Sequence, residues 1–243
     1  MSAERREELA ESVAEVRARV DAACRAAGRE PSEVDVLAVT KTFPAVDAAL
    51  LADLGMTLFA ENREQEARAK VAEFTQLRPD SAARWHMVGQ VQRNKARSVA
   101  RWASVVESVD SPRLAEALRR ASASALDAGE RREPLDVLVQ VGLDEREGRG
   151  GCPPEDVPEL ADTVAATEEL RLRGVMAVAP LRGDAEVAFA TLSTIAHRVR
   201  RDHPEAGVVS AGMSGDLERA IAHGSTRVRV GTALLGGRRL TSL

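Results

Sequence analysis

Leu9, Val13, Val16 and Val20 recur at helical spacing behind Ser2, an N-cap residue type, and predict an amphipathic helix over residues 3–27. Beyond it the pattern changes to short aliphatic runs that alternate with helical stretches. VDVLAVT (34–40), TLFAEN (57–62), RWHMVG (84–89), SVVESVD (104–110), LDVLVQVGL (135–143), LRLRGVMAV (170–178), GVVSAG (207–212) and TRVRVGTAL (226–234) read as eight strands. The segments between them are rich in Ala, Leu, Glu and Arg; PRLAEALRRASASALDAG, for example, places Pro112 in a first helical turn. Eight strand–helix alternations with Val-, Leu- and Ala-rich strands predict an α/β fold, a closed parallel (β/α)8 barrel of TIM type with an extra N-terminal helix. A doubly wound open sheet has the same alternation, because periodicity does not report closure. The one Gly/Pro-rich stretch, GRGGCPP (148–154), falls between a strand and its helix and reads as a βα loop, so residues 1–243 are expected to form a single domain.

A chain of 243 residues with 44% hydrophobic content can bury a substantial core. Its 34 basic and 38 acidic side chains leave a formal net charge of -4, which favours neither nucleic acid nor an anionic membrane. There is no apolar run of the roughly 20 residues a membrane span needs, and the charged start MSAERREELAES lacks the apolar stretch of a signal peptide, so a cytoplasmic protein is expected. Cys24 and Cys152 show no metal-ligand spacing and read as reduced structural thiols. Tyrosine is absent. Only three lysines occur, Lys41, Lys70 and Lys95, and arginine, which replaces lysine elsewhere, cannot do amine chemistry.

In such barrels the active site lies where strands end. Lys41 directly follows the first strand and, by alternation, shares a face with Leu37 and Val39 at the mouth of the barrel. Burial among aliphatic side chains would lower its pKa and let the amine attack an aldehyde; the competing reading is a strand-end lysine in an ion pair. In the last strand Arg227 and Arg229 alternate with Val228 and Val230, and Gly231 and Thr232 follow, where backbone N–H groups and a hydroxyl can meet an anion. Ser214 is expected to cap the helix after the seventh strand and to present its end to phosphate. Asn62 closes the second strand. His86 is expected to be a hydrogen-bonded packing residue, His197, His203 and His223 to be surface or capping residues, and REGRGG (146–151) to be a solvated loop, with a lid or an anion loop as the alternative.

A strand-end lysine, a phosphate cradle after strands seven and eight, and an arginine just before that cradle together suggest pyridoxal 5′-phosphate. The chain also resembles the pyridoxal phosphate homeostasis proteins, single-domain relatives of the alanine racemase barrel, through LAVTKTFP, FAENREQE, WHMVGQVQRNK, LRGVMAVAP, SAGMSGDLERAI and GSTRVRVGTALLG. The resemblance implies that Lys41 holds the cofactor as an internal aldimine, that Ser214, Gly231 and Thr232 bind its phosphate, and that Arg229 faces the pyridine nitrogen. Asn62, Ser210 and Met213 match family positions near the cofactor. The implied role is a carrier in intracellular cofactor homeostasis, a monomer or weak homodimer, with pyridoxal-phosphate-dependent apo-enzymes as partners.

Three departures stand out: Arg63 where a tyrosine is common, Phe43 where a second lysine is common, and Arg149 in place of a loop lysine. They argue against lysine-to-lysine transfer of the cofactor. The alternatives are an amino-acid racemase working through Lys41, with His86 or a cysteine returning the proton, and an aldolase-like barrel acting on a sugar phosphate. A racemase of this type uses a tyrosine, which is absent, and a separate β-domain, which is not expected here.

Overall fold

The computed structural model describes residues 3–144, 150–180 and 183–237. Eight strands, β1 (Asp35–Val39), β2 (Leu58–Glu61), β3 (Arg84–Met87), β4 (Val105–Val109), β5 (Leu135–Gln140), β6 (Leu170–Met176), β7 (Val208–Met213) and β8 (Arg227–Val230), pair in parallel in chain order. The ring closes where β1 meets β8, in a register running from Asp35 opposite Arg227 to Ala38 opposite Val230. Closure rules out the open-sheet alternative.

The helices around this ring are α1 (Ala3–Ala26), α2 (Ala45–Asp53), α3 (Glu64–Leu77), α4 (Ala96–Trp102), α5 (Pro112–Asp127), α6 (Val157–Ala165), α7 (Ala185–Asp202), α8 (Leu217–Ala222) and α9 (Thr232–Leu235). Pro112 opens α5 as expected. Residues 232–234, read from sequence as the end of the last strand, belong to a short helix, Thr232–Leu235, instead. Pairing stops at Val230, and Leu234 and Leu235 bury against the outer core with Val228 and Val230, which one helical turn allows.

Strands covered by helices on one side and by the barrel interior on the other have no solvated face, and β4 is buried at all five positions. Phe59, Phe74 and Trp85 form an aromatic group between β2, β3 and α3, with ring centroids 5.2–5.6 Å apart. Each such pair adds about 1 kcal/mol to the burial of its surface.

The N-terminal helix α1 buries Leu9, Val13, Val16 and Val20, the four positions that predicted it. From its polar side Arg19 donates to the Ser214 carbonyl at 3.1 Å and Arg5 to the Leu235 carbonyl at 3.1 Å. It therefore braces the turns after β7 and β8. Among the described residues no helix is long and apolar enough to cross a membrane, and no group of His, Cys, Asp or Glu could hold a metal ion.

Candidate functional site

At the C-terminal end of the strands a cavity of about 530 Å³ opens between the ends of β1, β2, β6, β7 and β8. Lys41, Asn62, Met213, Ser214, Arg229, Gly231 and Thr232 all line it. These are seven of the eight residues singled out from the sequence. The eighth, Ser210, is fully buried beneath Arg229 and does not reach the cavity.

Lys41 is exposed at the rim, so the aliphatic burial expected of it is absent. The reason is local: β1 pairing ends at Val39, and the Phe43 N–H bonds back to the Thr40 carbonyl at 3.0 Å, turning the chain out of the barrel. Within that turn Thr42 has a φ of 70°, and it is the one non-glycine residue in the left-handed region among those described. The turn is fixed from behind. Lys70 donates to the Thr40 carbonyl at 2.7 Å and to Glu61 Oε1 at 2.5 Å, while the Thr40 hydroxyl donates to the same oxygen at 2.6 Å. The expected alternative of an ion-paired Lys41 also fails: Lys70 pairs with Glu61 and Lys95 with Glu64, whereas Lys41 has no partner among the described residues.

On β8, the strand that pairs with β1, Arg229 is held by three hydrogen bonds. Its Nη1 donates to the Ser210 carbonyl at 2.6 Å and the Ser210 hydroxyl at 2.9 Å, and its Nη2 to the Ala177 carbonyl at 2.6 Å. Ser210 in turn donates its hydroxyl proton to Glu107 Oε2 at 2.6 Å. His86 Nδ1 lies 2.7 Å from Glu107 Oε1, and Arg227 spans 3.5 Å to that oxygen and 3.0 Å to Asp35. Glu107 on β4 stands across the ring from β8, so these side chains meet only inside the barrel.

Burial by itself would raise the Glu107 carboxyl, but the hydrogen bond from His86 and the Arg227 and Arg229 charges hold it at about 2, well below the ordinary carboxylate range. Burial lowers the pKa of His86, which opposes the pull of Glu107. An ionised carboxylate only accepts, so Nδ1 of a neutral His86 carries the proton. Sequence reading placed His86 as a packing residue and passed over Glu107, whose β4 neighbours are buried on both faces and give no alternation to read.

The group of residues after β7 and β8 differs from expectation in one respect. Ser214 does not cap α8; Asp216 occupies that position, and its Oδ1 accepts the Met213 N–H at 2.6 Å across the turn. The Ser214 hydroxyl instead accepts the Ala233 N–H at 3.4 Å, which joins the β7 turn to the start of α9. At Gly231 a Cβ would lie 3.2 Å from the Val39 carbonyl oxygen, so the backbone approaches β1 closely there. A Cβ on Gly89 would fall 1.9 Å from the Asn62 carbonyl oxygen, and only glycine lets β3 run past the turn that carries Asn62.

Other expectations resolve simply. Both cysteines are buried, and burial pushes the Cys152 thiol up to about 11. His203 and His223 close α7 and α8 and sit 2.8 Å from Asp162 and 2.5 Å from Glu186, and His197 is exposed. Arg149 and most of the 146–151 loop lie outside the described residues. Of that loop, Gly150 accepts from Gln140 Nε2 at 2.7 Å.

A closed parallel barrel whose mouth gathers a strand-end amine, a buried arginine and the Ser214, Gly231 and Thr232 turns belongs to a definite class. The sequence model of the alanine racemase N-terminal domain matches residues 12–239, and the chain belongs to that family. Within it, the chain is 46% identical over 250 residues to the pyridoxal phosphate homeostasis protein of Mycobacterium leprae, covering all of this chain and 97% of that one. It is 36% identical over 241 residues to the protein of the same name from Escherichia coli, covering 95% and 97%. The structure of PipY from Synechococcus elongatus with pyridoxal phosphate bound superposes with a TM-score of 0.78 at 32% identity, covering 94% of this chain and 100% of that one. Alanine racemase from Corynebacterium glutamicum shares the fold, with a TM-score of 0.67 at 16% identity over 98% of this chain and 62% of that one.

Proposed function

We propose that this chain binds pyridoxal 5′-phosphate in the barrel mouth through Lys41 and serves as a reversible carrier in cofactor homeostasis. The observation that carries the reading is the Lys41 amine, unpaired among the described residues and set at the rim of a cavity whose size falls in the usual range for small ligands. The cofactor supplies an aldehyde that condenses with a primary amine and a phosphate that needs hydrogen-bond donors.

The residues present fit both needs. Lys41 is the amine. Gly231, Thr232 and Ser214 would hold the phosphate, and Asn62 and Met213 would flank the ring. Arg229 would face the ring nitrogen, where a guanidinium disfavours protonation and so weakens the ring as an electron sink. Ser210 acts through Arg229, which it touches. The names of the homeostasis relatives and the bound cofactor in PipY support this assignment. Delivery to pyridoxal-phosphate-dependent apo-enzymes in the cytoplasm, by a monomer or weak homodimer, completes the proposal.

A carrier fits better than a racemase because a racemase needs a second group to return a proton. The chain has no tyrosine, and the described lining of the mouth offers no titratable side chain besides Lys41 and Arg229. His86 is sealed below Arg229, and the Cys152 thiol is both buried and hard to ionise.

The test is a spectral titration with pyridoxal phosphate, followed by borohydride reduction and peptide mapping. A new absorption band and a reduced adduct on Lys41 are expected, with Lys41→Ala losing both while keeping its circular dichroism. A preparation that stays colourless, or an adduct on Lys70 or Lys95, overturns the assignment. Amino-acid turnover on the order of 1 s⁻¹ or faster would replace the carrier with an enzyme.

A further inference from the structure

At the opposite end of the barrel, where β3 to β6 begin, lies a larger cavity of about 640 Å³. Arg84, Arg101, Arg131, Arg132, Arg171 and Arg173 line it, against the carboxylates of Glu130, Glu133 and Asp136. Six guanidiniums and three carboxylates leave a formal excess of three positive charges, on a chain whose net charge is -4. The charge is segregated, not averaged.

The ion pairs inside this cavity do not use up its donors. Arg84 and Arg171 both donate to Asp136, at 2.6 and 2.8 Å, with Arg173 at 4.0 Å from the same carboxylate. Arg171 also reaches Glu133 at 2.6 Å, and Arg101 reaches Glu130 at 2.8 Å. Arg131 has no carboxylate hydrogen bond among the described residues. Its Nη1 donates to the Ala100 and Ala103 carbonyls at 2.7 Å each, and its Nε to the Glu133 carbonyl at 3.2 Å.

Carbonyls satisfy donors without neutralising charge, and burial accordingly pulls the Arg131 pKa below its usual value. Arg132 is exposed and has no partner among the described residues. Trp102 lines the same cavity, and its indole N–H is buried without an acceptor. Folding thus builds a concave surface with surplus donors and surplus positive charge, far from the mouth that holds Lys41.

We propose that this cavity binds a small polyphosphate anion. Three uncompensated charges call for a ligand with at least three negative charges, which a single carboxylate does not supply and a triphosphate chain does. The inference is independent of the function proposed for the mouth.

The probes are inorganic tripolyphosphate and ATP without divalent cation, titrated into the full chain by calorimetry. Tripolyphosphate is expected to bind, and Arg132→Gln with Arg173→Gln to weaken it at least about tenfold through loss of two charged donors. Glu130→Gln with Glu133→Gln should strengthen it, since the positive excess then rises. Equal affinity for the two probes assigns the phosphate chain alone, and tighter ATP binding with a change in Trp102 fluorescence assigns a nucleotide; both support the proposal. No binding of either probe, or affinities unchanged by both double substitutions, overturns it. Should the arginine pair fail to fold, an unchanged affinity in the glutamate pair overturns it alone.

Discussion

Replacing Glu107 with glutamine keeps the shape of the barrel interior and removes its central negative charge. In the folded protein this carboxylate is fully buried, accepts from Ser210 and His86, and stands between Arg227 and Arg229. Two routes give the cost. Removing one partner of a buried charged group typically destabilises by about 3–5 kcal/mol. Independently, a pKa held at about 2 against an ordinary value of 4.5 corresponds to about 3 kcal/mol of stability at neutral pH.

The second route also fixes the pH dependence. A carboxyl whose folded pKa is depressed stabilises the fold above its unfolded pKa, and that contribution is lost as pH falls toward the folded value. The gap between parent and Glu107→Gln, measured by urea denaturation, should therefore be about 3 kcal/mol at pH 7 and narrow by about 2 kcal/mol by pH 3. A gap of equal size at both pH values, or one below about 1 kcal/mol at pH 7, would refute the placement of a charged Glu107 at the centre of the network.

Lys70→Met should strand the fully buried Glu61 and cost about 3 kcal/mol or more in urea denaturation; adding Glu61→Gln should recover part of the loss, and strict additivity of the two changes would count against the pair. Gly89→Ala drives a methyl group into the Asn62 carbonyl and should lower stability by roughly 1–3 kcal/mol while weakening cofactor binding, read by thermal melting and spectral titration. An alanine variant as stable as the parent would show that β3 can shift away from Asn62.

Strands such as β1 and β5 were legible because a parallel barrel strand is buried on both faces and therefore reads as a largely aliphatic run. For the same reason Glu107 was not: within VVESV every position is buried, and its partners Ser210 and Arg227 arrive from more than 100 residues further along the chain. Lys41 was found at the correct strand end, but its exposure depends on a turn through Thr42 that alternation does not anticipate. Ser214 was misread as a cap because the turn after β7 runs two residues further before α8 starts, which puts Asp216 at the N-cap position. Residues 232–234 were taken for strand because Ala233 and Leu234 are apolar, whereas pairing ends at Val230, just before Gly231.

The brace formed by Arg5 and Arg19 has a bearing on the order of assembly. These side chains are synthesised well before the carbonyls they grasp, on Leu235 and Ser214, which follow after separations of 230 and 195 residues. A growing chain thus carries its clamp long before there is anything to clamp. The turns that line the barrel mouth can settle only when β8 and α9 dock onto a helix made much earlier.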